Sequence, residues 1–369
     1  MNFNGINKAM IFPYSEYMIN IIKFNDLFNF DIESIVSFKS WGYTDKDPLF
    51  IDKSGSSKYM VTDDFEGELN KVDTVILGSF EKYYGDDNIA NKYLRKIVKV
   101  NKNVIILDRT NDLEIENHFK NPNVIIKDLN HSYRVTKNLN PINIPAVGIF
   151  GLEGDCGKIE LQLKMYRALK NEGYKVSLIG ANPELSLLGG HCYPLEIYSD
   201  KIGSLEKTKI IRDYINNIIS KQKSDIVLVS SPYGLNNFGK GQIKYEYNGF
   251  LSQMIIDAIR PDANILCCNL GRNLGMIERS KKTLELISSA PTIALSSKRL
   301  YKSPRTSLRR YQIDLKKGIL NDDLFRQYEG KCKEDLEVKM LDQDNIEDKA
   351  IVDLIEDTFA NDNRIKDII

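Results

Sequence analysis

Histidine, tryptophan and cysteine are all scarce in this chain: three, one and five residues among 369. No C-x-x-C pair occurs, so the spacings of zinc fingers and iron–sulfur sites are excluded and no metal site is expected. An odd number of scattered cysteines argues for reduced thiols rather than a disulfide framework. Cys267 and Cys268 are neighbours on an expected strand, where successive side chains point to opposite faces. No run approaches the roughly 20 apolar residues of a membrane-spanning helix. The apolar stretch that ends at Pro13 is too short for the core of a signal peptide. These absences describe a cytoplasmic protein without a membrane partner. Excess charge is missing too, with 51 basic and 51 acidic side chains. That balance excludes a uniformly basic nucleic-acid coat and an acidic solvating chain, and makes nucleic acid a disfavoured partner.

What is present fits two α/β domains: 42% hydrophobic and 28% charged residues, enough to bury a core. Strands are expected at Lys8–Phe12, Ile35–Phe38, Asp73–Gly78 and Asn103–Asp108, with helix-like spacing from Ser15 to Leu27. Continuous β-branched runs alternating with helices predict a parallel sheet covered on both faces. The expected layout is a Rossmann-like α/β domain over 1–128, a linker over 129–145 and a P-loop-like α/β domain over 146–297. A basic then acidic helical segment over 298–369 completes it. The fold class is therefore α/β, with two doubly wound, mostly parallel sheets. The first strand lacks a glycine fingerprint, which weighs against a dinucleotide there.

In the second domain strands are expected at Ala146–Phe150, Lys175–Ile179, Asp225–Val229, Asn264–Asn269 and Thr292–Leu295, and a helix from Gly157 to Lys170. Between the first strand and that helix lies Gly151-Leu-Glu-Gly154-Asp-Cys-Gly157-Lys158. Strand, glycine loop, lysine and helix are the context in which backbone N–H groups cradle a phosphate. Gly151, Gly154, Gly157 and Lys158 are the candidate phosphate-binding residues, and ATP or GTP the cofactors such a loop would take. The loop resembles that of dethiobiotin-synthetase and MinD-like P-loop proteins. The residue after the lysine, which should carry a magnesium-binding hydroxyl, is Ile159, and the next is Glu160. The acid expected at the end of the Asp225 strand is Ser230. Magnesium-dependent hydrolysis is therefore disfavoured. Two readings stand side by side: a retained phosphate site, or glycines that merely tighten a turn while Lys158 sits in solvent.

The chain also resembles a clostridial family of peptide maturation system proteins, encoded beside radical SAM enzymes that modify ribosomally made peptides. The carriers are Phe12-Pro13-Tyr14, the segment Ile35 to Gly42 with Lys46-Asp47, Val72 to Val75, Val147 to Gly151 with Cys156-Gly157-Lys158, and Gly173 to Gly180. This resemblance spans roughly residues 8 to 270. It implies a role in peptide maturation, with a precursor peptide or a radical SAM maturase as partner, and it transfers no catalytic residue. The function it suggests is that of an accessory protein with a degenerate P-loop. The alternative is an ATP-dependent activating enzyme, ligase or kinase-like, using Lys158 with an unconventional metal ligand.

Other residues suggest sites of their own. Trp41, Lys46 and Asp47, after a parallel strand, could line a ligand crevice or plug a sheet edge. Ser230, Tyr233 and Gly234 would share the crevice of the phosphate loop, with Asn236, Asn237 and Lys240 beyond them. His191 and Cys192 are adjacent, but sequence neighbours seldom reach nucleophile–base geometry. Cys156 is either a reactive thiol at a helix N-terminus or a small filler. Lys298–Lys317 carries eight basic residues against one acidic, and Glu334–Arg364 eleven acidic against three basic. The basic segment could grip an acidic leader peptide, and an internal clamp between the two segments is expected.

Overall fold

Along Lys8–Phe12 alternate side chains enter different cores: Ala9 and Ile11 one cluster, Met10 and Phe12 another. Ile76 and Ile105 join the first, and Val75, Leu77, Val104 and Ile106 the second. A strand buried on both faces needs apolar residues at every position, which is why these runs are continuous rather than alternating. In the computed structural model, residues 5–52, 54–80, 88–107, 125–128, 132–136, 139–154, 156–235, 243–269, 273–298, 300–301, 318–319 and 322–360 are described. The chain divides into two units, Met1–Ser132 with Pro183–Pro194, and Tyr133–Asn182 with Leu195–Ile369.

The strands of the first unit are β1 (Lys8–Phe12), β2 (Asp31–Val36), β3 (Val61–Thr62), β4 (Thr74–Leu77), β5 (Asn103–Ile106) and β6 (Ile126–Asp128). They form a parallel sheet in the order β3-β2-β1-β4-β5-β6, the doubly wound arrangement. The helix expected from Ser15 to Leu27 is instead three short turns, Glu16–Met18, Ile19–Lys23 and Asn25–Leu27. At the β1/β4 switch point, a Cβ on Gly78 would lie 2.6 Å from the Met18 sulfur and 2.9 Å from the Pro13 carbonyl.

In the second unit the strands are β7 (Ala146–Gly151), β8 (Val176–Gly180), β10 (Ile226–Gly234), β11 (Ala263–Cys267), β12 (Thr292–Ser297) and β15 (Lys339–Asp342), while β9 (His191–Cys192) lies in the Pro183–Pro194 stretch of the first unit. They line up in parallel as β15-β12-β11-β7-β10-β8. A short antiparallel pair, β13 (Leu300–Tyr301) and β14 (Gly318–Ile319), follows β12.

Two boundaries differ from expectation. Part of the expected linker 129–145 is docked on the second unit, because the buried Asp213 carboxylate collects its donors. Tyr133 Oη lies 2.7 Å from it, Thr136 N 2.6 Å and Thr136 Oγ1 2.9 Å. The 298–369 segment is no separate helical appendage either. Its β15 forms a sheet edge on β12, and its helix Asp348–Phe359 packs on the helix Lys158–Asn171. Arg167–Asp348 at 3.6 Å and Tyr174–Glu356 at 2.9 Å mark that contact. Of the basic residues in the expected clamp only Lys298 is among the described ones, and it pairs at 2.5 Å with Glu160. Residues 302–317 lie outside the described residues.

Candidate functional site

The phosphate-type loop leaves β7, the strand held between β10 and β11. Leu152 N donates to Cys267 O, and Leu235 N to Gly151 O, so both neighbouring strands fix the loop's base. Gly157 has φ +81°, a left-handed conformation that only glycine adopts freely, and it starts the 14-residue helix Lys158–Asn171 without a side-chain cap. Gly151 has a second reason to lack a side chain. A Cβ there would sit 2.5 Å from both the Cys156 sulfur and the Glu153 carbonyl, and 3.0 Å from Lys158 Nζ.

Lys158 is not in solvent, as one sequence reading held: it is 4% exposed. Its ammonium donates to Gly154 O at 2.7 Å and Glu153 O at 3.2 Å, curling back over its own loop. Among the described residues no carboxylate pairs with it. Burying a cation beside the positive end of a helix is costly unless an anion compensates it. Glu160, on the first turn, is 4% exposed and turned onto Lys298 at 2.5 Å and Lys164 at 3.7 Å. The half-buried Ile159 offers no ligand atom.

Beneath the loop lie two thiols. Cys156 is buried with its sulfur 3.2 Å from Glu153 O. A hydrogen bond with Cys267 draws the Cys156 thiol below the usual range, against burial and with help from the Lys158 ammonium. Burial, then the partner thiol, pushes Cys267 well up. Cys267 and Cys268 are both buried. Sequence reasoning did not find Gln343, which lies just past β15. Its amide nitrogen reaches Ser296 Oγ at 3.0 Å and Cys156 O at 3.4 Å, while its buried oxygen has no hydrogen-bond partner among the described residues. That oxygen would be 2.1 Å from a Cβ on Gly157. An isolated glutamine in an acid-rich stretch gave no signal of this.

The other expected residues are scattered. Tyr233 and Gly234 sit beside the loop, since β10 leaves register after Ser230 and rejoins β7 at Gly234↔Gly151. A Cβ on Gly234 would be 2.7 Å from Glu153 Cα. Ser230 lies on the same strand but faces away from a loop ligand: its hydroxyl donates at 2.8 Å to Gln162 Oε1, whose amide nitrogen is held by Ile179 O and Leu228 O. Asn236, Asn237 and Lys240 lie outside the described residues.

Trp41, Lys46 and Asp47 belong to the first unit, where their side chains make contacts within their own loop. Trp41 packs edge-on to Phe38 at 5.2 Å, and Lys46 donates to Gly42 O at 2.6 Å. Asp47 accepts from Leu49 N at 2.8 Å, Ser57 N at 2.5 Å and Ser57 Oγ at 2.8 Å. Burial opposes its charge, but the Ser57 and backbone bonds win and hold its carboxyl below the usual range. Cys192 is buried beside a half-buried His191, and its N–H donates to Ser186 Oγ.

No protein-family model matches the chain, and no curated protein matches it. Among solved structures, a DUF1611 family protein from Anabaena variabilis shares the fold from end to end. It is 11% identical with a TM-score of 0.68, over 97% of this chain and 100% of that one. Partial overlaps include chloroplast FtsY from Physcomitrella patens, at 12% identity, 61% and 69% coverage and a TM-score of 0.34. A nucleotide-binding protein from Archaeoglobus fulgidus, in complex with ADP, overlaps at 11% identity, 61% and 88% coverage and 0.31. The first likeness concerns fold alone, and the partial ones are too slight to bear on ligand.

Proposed function

We propose that this chain binds a phosphate-bearing ligand, a nucleotide such as ATP or GTP, at the Gly151–Lys158 loop, as an accessory protein of a peptide maturation system. The observation that carries the ligand reading is the Lys158 ammonium, buried at a helix N-terminus and held, among the described residues, by two loop carbonyls. An arriving phosphate would exchange those neutral acceptors for charged oxygens, and hydrogen bonds between charged groups are the stronger ones. Hydrolysis is not part of the proposal. The Ile159 side chain has no oxygen and the Ser230 hydroxyl is turned to Gln162, so the activating-enzyme alternative rests wholly on an unconventional metal ligand. The maturation context, with a precursor peptide or radical SAM maturase as partner, rests on the sequence resemblance over residues 8–270.

Calorimetric titration with ATP, GTP and pyrophosphate, each with magnesium and with a chelator, tests the ligand reading. Saturable binding that survives chelation is expected. Silence from all three ligands would remove the phosphate reading. Co-purification with a genomically adjacent precursor peptide and radical SAM enzyme tests the context, and failure to retain either would remove it.

A further inference from the structure

Large apolar side chains left in solvent usually stand apart, but three in the second unit gather on one face. Leu139, Leu205 and Phe250 are 37%, 70% and 58% exposed and line one groove of about 520 Å³. Its walls come largely from the helices Ser204–Gln222 and Ile243–Ile259.

Charge in the same groove is one-sided. Among the described residues Lys209, Arg212 and Arg260 line it against the single acid Asp257, and Lys209 also lies 3.9 Å from Glu206 outside the lining. Arg212 is fixed in place, with Nε donating to Ala258 O at 2.9 Å and Nη2 to Asp257 O at 2.7 Å. Both acceptors are backbone carbonyls at a helix end, so its charge is not cancelled by a carboxylate. Burial, then repulsion from Arg260, destabilises its charged form, and Asp257 offsets part of this without forming an ion pair. Among the described residues neither arginine has an ion-pair partner.

We infer that this groove docks an acidic amphipathic peptide segment, with apolar side chains against Leu205 and Phe250 and carboxylates at Arg212 and Arg260. Apolar anchors beside uncompensated guanidinium groups are the complement of such a segment. A second copy fits worse. A twofold contact places the same patch on both sides, bringing arginines against arginines. A nucleic-acid strand would find one aromatic ring, Phe250, and aliphatic neighbours where it needs stacking platforms. The inference deepens the peptide part of the proposed function and rests on it for the choice of a peptide. None of the groove residues belongs to the 151–158 loop.

The test uses the full chain and a fluorescein-labelled, helix-forming peptide with leucines on one face and glutamates on the other, followed by anisotropy. Saturable binding is expected, weaker by about tenfold or more for the same peptide with lysines in place of glutamates. Arg260→Glu and Phe250→Ser, both at exposed positions, should each weaken it by a similar factor with an unchanged circular dichroism spectrum. Each variant should keep the phosphate binding of the parent, so loss of one property does not decide the other. Equal binding of both peptides, no binding, or indifference to both substitutions overturns the inference. So does a sedimenting dimer that Phe250→Ser dissolves, or a labelled oligonucleotide that displaces the acidic peptide.

Discussion

The Lys158 ammonium donates at 2.7 Å to the carbonyl oxygen of Gly154, four residues back in its own loop. In this state the loop cradles its lysine. To hold a phosphate it must release that contact, so the lysine is both the cation of the site and its internal placeholder. Lys158→Ala should therefore lower ATP or pyrophosphate affinity by about 10- to 100-fold, the range for losing a hydrogen-bonded charge. Calorimetry reads this directly. Chelating magnesium should change the parent's affinity far less than this substitution does, and the reverse ranking would show that a metal carries the binding.

Gly157 and Gln343 test how the loop is braced from the far strand edge. Gly157→Ala introduces a Cβ 2.1 Å from Gln343 Oε1 at a residue with φ +81°. The backbone penalty alone is about 1–2 kcal/mol, and the clash adds to it. In a Gln343→Ala background the clash disappears while the backbone penalty stays. Chemical denaturation should show Gly157→Ala costing less in that background than in the parent. An identical cost in both would mean that Gln343 does not press on the loop.

The strands around this loop were legible because burial on both faces demands unbroken apolar runs. Val147 to Phe150 and Val227 to Val229 have that form in the sequence, and they are β7 and part of β10. The glycine loop was legible as well, since strand, glycines and lysine are consecutive. What escaped was pairing at long range. β15 is a four-residue edge strand in which only Met340 and Leu341 are apolar, inside an acidic stretch, so nothing local marks it. Asp213 reads as an ordinary helix-surface acid until Tyr133 and Thr136 close over it from 80 and 77 residues away. Ser230 was placed at the right strand end, yet its side chain turns to Gln162, and which side a residue takes at a strand end depends on the bulge that follows.

Glu184 supplies a pH dependence. It is 2% exposed, and Asn20 Nδ2 donates to it at 2.8 Å. Burial raises its carboxyl to about 8, and the Asn20 bond opposes that only in part. Between pH 4.5 and about 8 the folded chain keeps a proton that the unfolded chain releases. This contribution to stability is thus full below the unfolded value and is lost as pH rises through the folded one. Its size is on the order of a few kcal/mol. Glu184→Gln, which keeps an acceptor for Asn20, should flatten this part of the profile and be more stable than the parent at pH 8. Thermal melts from pH 5 to 8 that fall in parallel for the two proteins would remove Glu184 as the cause.

Glu160 stands where a phosphate loop would ordinarily place a hydroxyl, and its carboxylate is neutralised by two lysines. Lys298 Nζ is 2.5 Å from Oε2 and Lys164 Nζ 3.7 Å from Oε1. Both lysines retain some solvent contact, with side chains 22% and 16% exposed, so the pair is worth less than a fully buried one. Removing the acid should cost roughly 2–3 kcal/mol, below the range for a fully buried partner. Lys298→Met should cost less, because Lys164 still faces the carboxylate. If the pair is what ties the end of β12 to the first turn of the loop helix, the two losses will not add. Once Glu160→Gln has removed the charge, Lys298→Met should cost nearly nothing more, leaving a coupling energy above about 1 kcal/mol. Strict additivity in denaturant melts of the four proteins would mean that the contact contributes no stability and that Glu160 is buried for packing alone.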